Sequence, residues 1–178
     1  KEGPPIMKGD LLNGTIPAPL NMEYFSTEGL GRAFVLRLDH GDYVLESIVG
    51  LINEENLKDA VVVSAIGTLD KCKLHMVFTT GYPPVEHFEY WEDKPLELSS
   101  IDGVIADGKP HLHAVVSDHE RAYSGHLEEG CRVLYLAEIV IIELKSSDLV
   151  RAYDDDRILK LVSRESSSGQ SVNPNSSR

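Results

Sequence analysis

Apolar residues follow a helical period in one stretch of this chain: Val44, Leu45, Ile48, Val49 and Ile52 recur at three- and four-residue spacing. The pattern predicts an amphipathic helix over about residues 43–56, opened by a turn at Asp39–Gly41 with Asp42 as N-cap. Elsewhere the apolar positions alternate or run together, the mark of strands. Ala33–Leu38 reads as the first strand of the body. Ala60–Ile66 reads as a strand buried on both faces, broken at Gly67 and Thr68. In Lys73–Thr79, His75 falls with the polar set and is expected in solvent. After a break at Gly81, Pro83 and Pro84, Val85–Trp91 alternates, with Phe88 and Tyr90 expected in the core.

Asp93, Lys94 and Pro95 predict a turn into Leu96–Ile105, a strand interrupted at Asp102–Gly103 by a bulge or a close backbone approach. His111–Ser117, Tyr123–Leu127 and Cys131–Leu144 complete the strand pattern. Ala152–Tyr153 and Ile158–Val162 predict a short strand and a terminal turn or helix. Many strands with one good helix argue for an α+β fold with a mostly antiparallel sheet. A Pro- and Gly-containing arm over residues 1–29, a body over 30–162 and a Ser-rich disordered tail over 163–178 are expected.

Composition narrows the class. The chain has 178 residues, of which 42% are hydrophobic, enough for one core. No apolar run reaches the roughly 20 residues needed to cross a bilayer as a helix. No basic stretch followed by an apolar one opens the sequence, so a cytoplasmic location is expected. Cys72 and Cys131 lie in apolar stretches and are expected as free, buried thiols. The formal net charge of −12 repels phosphate backbones and anionic membranes, and no basic stripe offsets it.

The chemistry concentrates between Gly108 and Cys131. On a strand, His111 and His113 share one face, roughly 7 Å apart at Cα. A returning strand brings His126 within reach of them, with His75 and His119 as rivals for the third place. Three neutral imidazoles suit zinc or another divalent transition ion and leave a fourth position open, the catalytic rather than the structural pattern.

Three runs carry a resemblance: Lys94-Pro-Leu-Glu-Leu-Ser-Ser-Ile-Asp-Gly103, Gly108-Lys-Pro-His-Leu-His-Ala114 and Gly125-His-Leu-Glu-Glu-Gly-Cys131. With Val35–Asp39 and Val63–Leu69 upstream, they resemble the plants-and-prokaryotes conserved (PPC) domain. Ser124-Gly125-His126 stands where that family often has Gly-Gly-His, and the histidine is kept. The resemblance implies a homotrimer of α+β subunits and a metal held by His111, His113 and His126. Glu97 matches an acidic position of the family. With Glu128 it is a candidate general base, or a carboxylate that orients a ligand.

Two functions follow from different classes. One is a zinc-binding trimer with an open site for a small-molecule ligand or substrate, of lyase or hydrolase chemistry. The other is a DNA-binding or transcription-regulatory protein, the role attached to the family's plant members. Those carry a basic Arg-Gly-Arg-Pro hook that these 178 residues do not contain. An interaction module with a vestigial metal site is a third reading.

Overall fold

The computed structural model describes residues 23–164. The expected arm up to residue 22 and the expected tail from residue 165 lie outside the described residues. β1 (Gly29–Asp39) leads into α1 (Val44–Glu54), then β2 (Ala60–Val77), β3 (Glu86–Ala106), β4 (Lys109–Ser117), β5 (Ala122–Leu127) and β6 (Arg132–Lys145). These six strands form one antiparallel sheet in the order β1-β6-β2-β3-β4-β5. β5 also pairs back onto β2 through Leu74–Leu127 and His75–His126, so strands β2 to β5 close a circuit. A separate hairpin follows, β7 (Leu149–Tyr153) with β8 (Leu159–Ser163).

The helix is slightly shorter than expected. Its Val44, Ile48 and Ile52 are buried and join one core with Leu69, Leu74, Ile101, Leu112 and Ile139 of the sheet. Each such side chain contributes roughly 1.5–3 kcal/mol relative to exposure. The N-cap is Tyr43 rather than Asp42, and it makes no side-chain cap. The Asp42 carboxylate is engaged one step earlier, accepting the Asp39 N–H, while Val44 N–H donates to the Cys131 carbonyl. The residue just before β6 therefore satisfies one of the backbone donors a cap would otherwise serve.

Two expected breaks are strand interior. β2 runs on through Gly67 and Thr68, and β3 runs on through Asp93–Pro95. The ladder pairs Leu69 with Leu96 and then Lys71 with Glu92, so residues 93–95 are looped out of register. A bulge of this kind accommodates the missing proline donor without ending the strand. Of the two alternatives at Gly103, the structure has the close approach. Gly103 has φ 149°, and a Cβ there would lie 2.1 Å from the His111 carbonyl oxygen. Ile158–Val162 lies largely in a strand, not a turn or helix, because it pairs with β7.

The hairpin is tied to the sheet through one buried carboxylate. Asp59 accepts hydrogen bonds from Asp107 N–H, Leu149 N–H and the Ser147 hydroxyl. Cys72 and Cys131 are both buried and free, with their sulfurs 3.9 Å apart.

The circuit closes at Gly125, which is buried opposite Ala114. A Cβ at this position would sit 2.5 Å from the His75 carbonyl oxygen and force β5 away from β2. Gly125→Ala is expected to lower stability by about 1–3 kcal/mol, read as a lower urea midpoint. An unchanged midpoint would show that the close approach costs nothing to relieve.

Candidate metal centre

Register decides which side chains meet. His126 on β5 stands opposite His113 on β4 and opposite His75 on β2. Directly paired residues project to one side of a sheet, and His111 shares that side two residues along β4. Four imidazoles therefore gather on the outer face of the closed circuit, while Leu74, Leu112, Ala114 and Leu127 point inward and are buried.

The His111 and His113 rings lie parallel, 6° apart in plane with centroids at 5.5 Å. His126 meets both edge-on, at 4.9 and 5.5 Å. One ligating atom from each of the three lies within 4.8 Å of the others. His75 packs on His126 at 4.6 Å between centroids. It is half-buried rather than solvent-exposed, a correction to the sequence expectation, because β5 folds back across it. His119 stays outside. Its side chain is 88% exposed on a turn that Asp118 ties down by accepting the N–H groups of Glu120 and Arg121.

The two carboxylate candidates separate. Glu128 follows His126 by two residues, and its Oε1 lies 2.6 Å from His75 Nδ1. Burial alone would raise the Glu128 pKa, but the His75 hydrogen bond and the charge of Lys73 outweigh it and hold the carboxyl below its ordinary value. An ionised carboxylate only accepts, so His75 Nδ1 carries the proton. Glu97 is not brought to the histidines. It pairs with Ser117, four residues along β4 from His113, roughly 13 Å of strand. There it lines a different cavity, with Thr68 and Tyr135.

Phe88 and Tyr90, expected in the core, are 38% and 65% exposed. They flank the centre instead: Phe88 lies 5.2 Å from His75 between ring centroids, and the Lys73 ammonium sits over both aromatic faces. Both faces of Val85–Trp91 carry aromatic residues, so alternation alone could not choose the inner one.

A cavity of about 600 Å³ opens over the four histidines. Met76, Val77 and Pro84 form one wall, and Tyr153, Ile158 and Leu159 of the hairpin form another. Burial, then the charge of Arg151 and the neighbouring imidazoles, lowers the His111 pKa to about 4. Burial and the charges of His75 and His113 lower that of His126. Both are neutral near pH 7, the state in which an imidazole offers a lone pair to a cation. The donor set thus suits a divalent transition ion.

An antiparallel α+β sheet with imidazoles converging on its outer face defines the class of protein. The chain belongs to the Plants and Prokaryotes Conserved (PCC) domain family, also written PPC, which matches residues 25–145. It is similar to a metal-containing protein from Archaeoglobus fulgidus: 27% identity, TM-score 0.64, covering 78% of this chain and 96% of that one. A plant- and prokaryote-conserved protein from Pyrococcus horikoshii is also similar, at 26% identity and TM-score 0.64, over 79% and 95% of the two chains. A bifunctional protein GlmU of Synechococcus sp. (strain JA-3-3Ab) is 28% identical over 63% of this chain. The chain spans 17% of the length of that relative.

The depressed imidazoles make stability depend on pH. The unfolded chain takes up protons near the ordinary histidine value of 6.5, whereas folded His111 resists until about 4. Acid therefore favours unfolding, and the contribution present above 6.5 is lost as pH falls from 6.5 toward 4. The urea midpoint of metal-free protein should fall across that window, with a shallower fall in His111→Gln. Identical slopes for the two proteins would contradict the burial argument.

Proposed function

We propose that this chain is a metal-binding member of its family, holding one divalent ion, zinc first, at His111, His113 and His126. The observation that carries the reading is the convergence of three imidazoles on one face, two of them with lowered pKa values. The likeness to the metal-containing Archaeoglobus fulgidus protein supports it. Three protein ligands leave a position for a small-molecule ligand or substrate in the cavity above. A bound ion there supplies Lewis-acid polarisation of a carbonyl or a lowered pKa for water, the chemistry of a metal-dependent lyase or hydrolase. Glu128 fixes the tautomer of His75, and His75 in turn packs against His126. Within one chain Glu97 lies away from these histidines.

The working unit in this proposal is a homotrimer. Val35 on β1, Val63 and Ile66 on β2 and Leu136 on β6 remain exposed in the single chain, and apolar surface of this kind marks contact sites. The family resemblance supplies the number three. The reading as a DNA-binding regulator draws nothing from a net charge of −12. No helix among the described residues is long and apolar enough to cross a membrane.

Protein purified without a histidine tag should carry about one zinc or similar ion per chain by elemental analysis. The His111→Ala/His113→Ala double variant should lose it and still fold. Full metal content in that variant would remove the ligand assignment, and a metal-free wild type would favour the vestigial interaction module. Light scattering at micromolar concentration should give three times the chain mass. A monomer would end the trimer proposal.

A further inference from the structure

The chain carries 29 acidic and 17 basic residues, so its arginines have ample partners. Among the described residues, Arg32, Arg37, Arg121, Arg132 and Arg164 each form an ion pair with a carboxylate. Arg151 and Arg157 form none, and both lie on the hairpin that roofs the histidine cavity. Arg157 lines the cavity. Three aspartates precede it, yet Asp154 is taken by Lys160 and by the N–H groups of Asp156 and Ile158.

Arg151 shares a face of β7 with Tyr153, which lines the same cavity. Its Nη2 donates to the Val104 carbonyl at 3.4 Å, and Val104 stands opposite His111. Its Nε is buried with no hydrogen-bond partner among the described residues. A buried donor left unpaired is costly, and in native structures it calls for an explanation. Arg151 stands behind the residues that line the cavity, so its guanidinium must turn to present the Nε edge to a ligand. Of the two nearby acids Glu128 is engaged, while Glu86, which lines the cavity, is screened by solvent. Glu128 is held by His75 and Lys73, and Glu86, half in solvent, faces His75 Nε2 at 3.7 Å.

We infer that this cavity takes a small organic anion, a carboxylate on an apolar body, held by Arg151 and Arg157 beside the metal position. A guanidinium binds a carboxylate through paired, charge-assisted hydrogen bonds. Met76, Val77, Pro84, Tyr153, Ile158 and Leu159 offer the body an apolar surface. Walls this apolar suit a carboxylate on a carbon frame better than a bare phosphate, which asks for more donors. The inference rests on the metal reading for the ion's place, whereas the arginines stand without it.

The experiment titrates the metal-loaded full chain calorimetrically with benzoate and with its neutral counterpart benzamide. Benzoate should bind at least about tenfold tighter. Arg151→Gln/Arg157→Gln should erase that preference, and Arg151→Lys, which keeps the charge but loses the fork, should fall between. Arg37→Gln, whose arginine is paired with Asp39 on the surface, should bind like the wild type. Arg157 is exposed, so Arg157→Gln alone keeps the test open where Arg151→Gln fails to fold, and it should weaken benzoate about threefold or more. Equal affinity for the two probes, or a preference that survives in the double variant, overturns the inference. Inorganic phosphate that displaces benzoate more strongly than benzoate binds, with the same arginine dependence, overturns the carboxylate assignment. Repeating the titration after chelation separates the two readings. An arginine-dependent preference that persists in stripped protein belongs to the hairpin, while wild type purified without metal defeats the ion alone.

Discussion

The site depends on one close approach, the passage of the Gly125 backbone over the carbonyl of His75. Only a residue without a Cβ fits there, since the nearest atom would lie 2.5 Å away. The contact lets β5 pair with β2 while it still pairs with β4. That double pairing sets His126 in register with His75 on one side and His113 on the other. Side chains in a sheet flip face with every one-residue slip, so a shifted β5 would send His126 into the apolar interior. The glycine and the histidine that follows it are therefore one structural device. A second glycine supports it from β3, where Gly103 admits the carbonyl of His111 at a φ that other residues rarely adopt.

Gathering four imidazoles on one face has an electrostatic consequence. Protonated rings at these separations would repel one another, and partial burial makes each charge more costly still. The protein eases the conflict by lowering the pKa values of His111 and His126, while His75 donates its Nδ1–H to Glu128. Glu128 in turn leans on Lys73, whose ammonium rests over Phe88 and Tyr90. Charge is therefore balanced along a line that runs from the aromatic flank to the centre. At His111 and His113 no carboxylate of the described residues takes part, which leaves their lone pairs to a cation.

Much of this was legible in sequence because it rests on short-range periodicity. His111 and His113 share a face by the two-residue repeat alone, and the helix follows from the spacing of Val44, Ile48 and Ile52. What escaped was long-range. Nothing local in Lys73–Thr79 says that His75 will be covered, because its cover is a strand some fifty positions away. Phe88 and Tyr90 lie outward against expectation because aromatic residues occupy both faces of their strand. Glu97 matched a family position but landed four residues too far along the ladder, a matter of register that composition does not carry. Gly67 and Asp93–Pro95 are residues that usually stop short strands, yet β2 and β3 run on through them.

The division of labour along the chain bears on how such a site acquires a specificity. The family match ends at residue 145, so all the histidines and Glu128 fall inside it. The hairpin begins at Leu149 and brings Tyr153, Arg157, Ile158 and Leu159 over the same cavity. It reaches its place through Asp59, a buried carboxylate of the shared body that accepts from Ser147 and Leu149. A cluster of imidazoles fixed by strand register and a roof anchored by a few hydrogen bonds are physically separable. The roof can change its charges and its apolar wall without disturbing the strand register that aligns the imidazoles. On the proposed reading the body offers the imidazoles and one wall of the cavity, and the hairpin supplies the other wall.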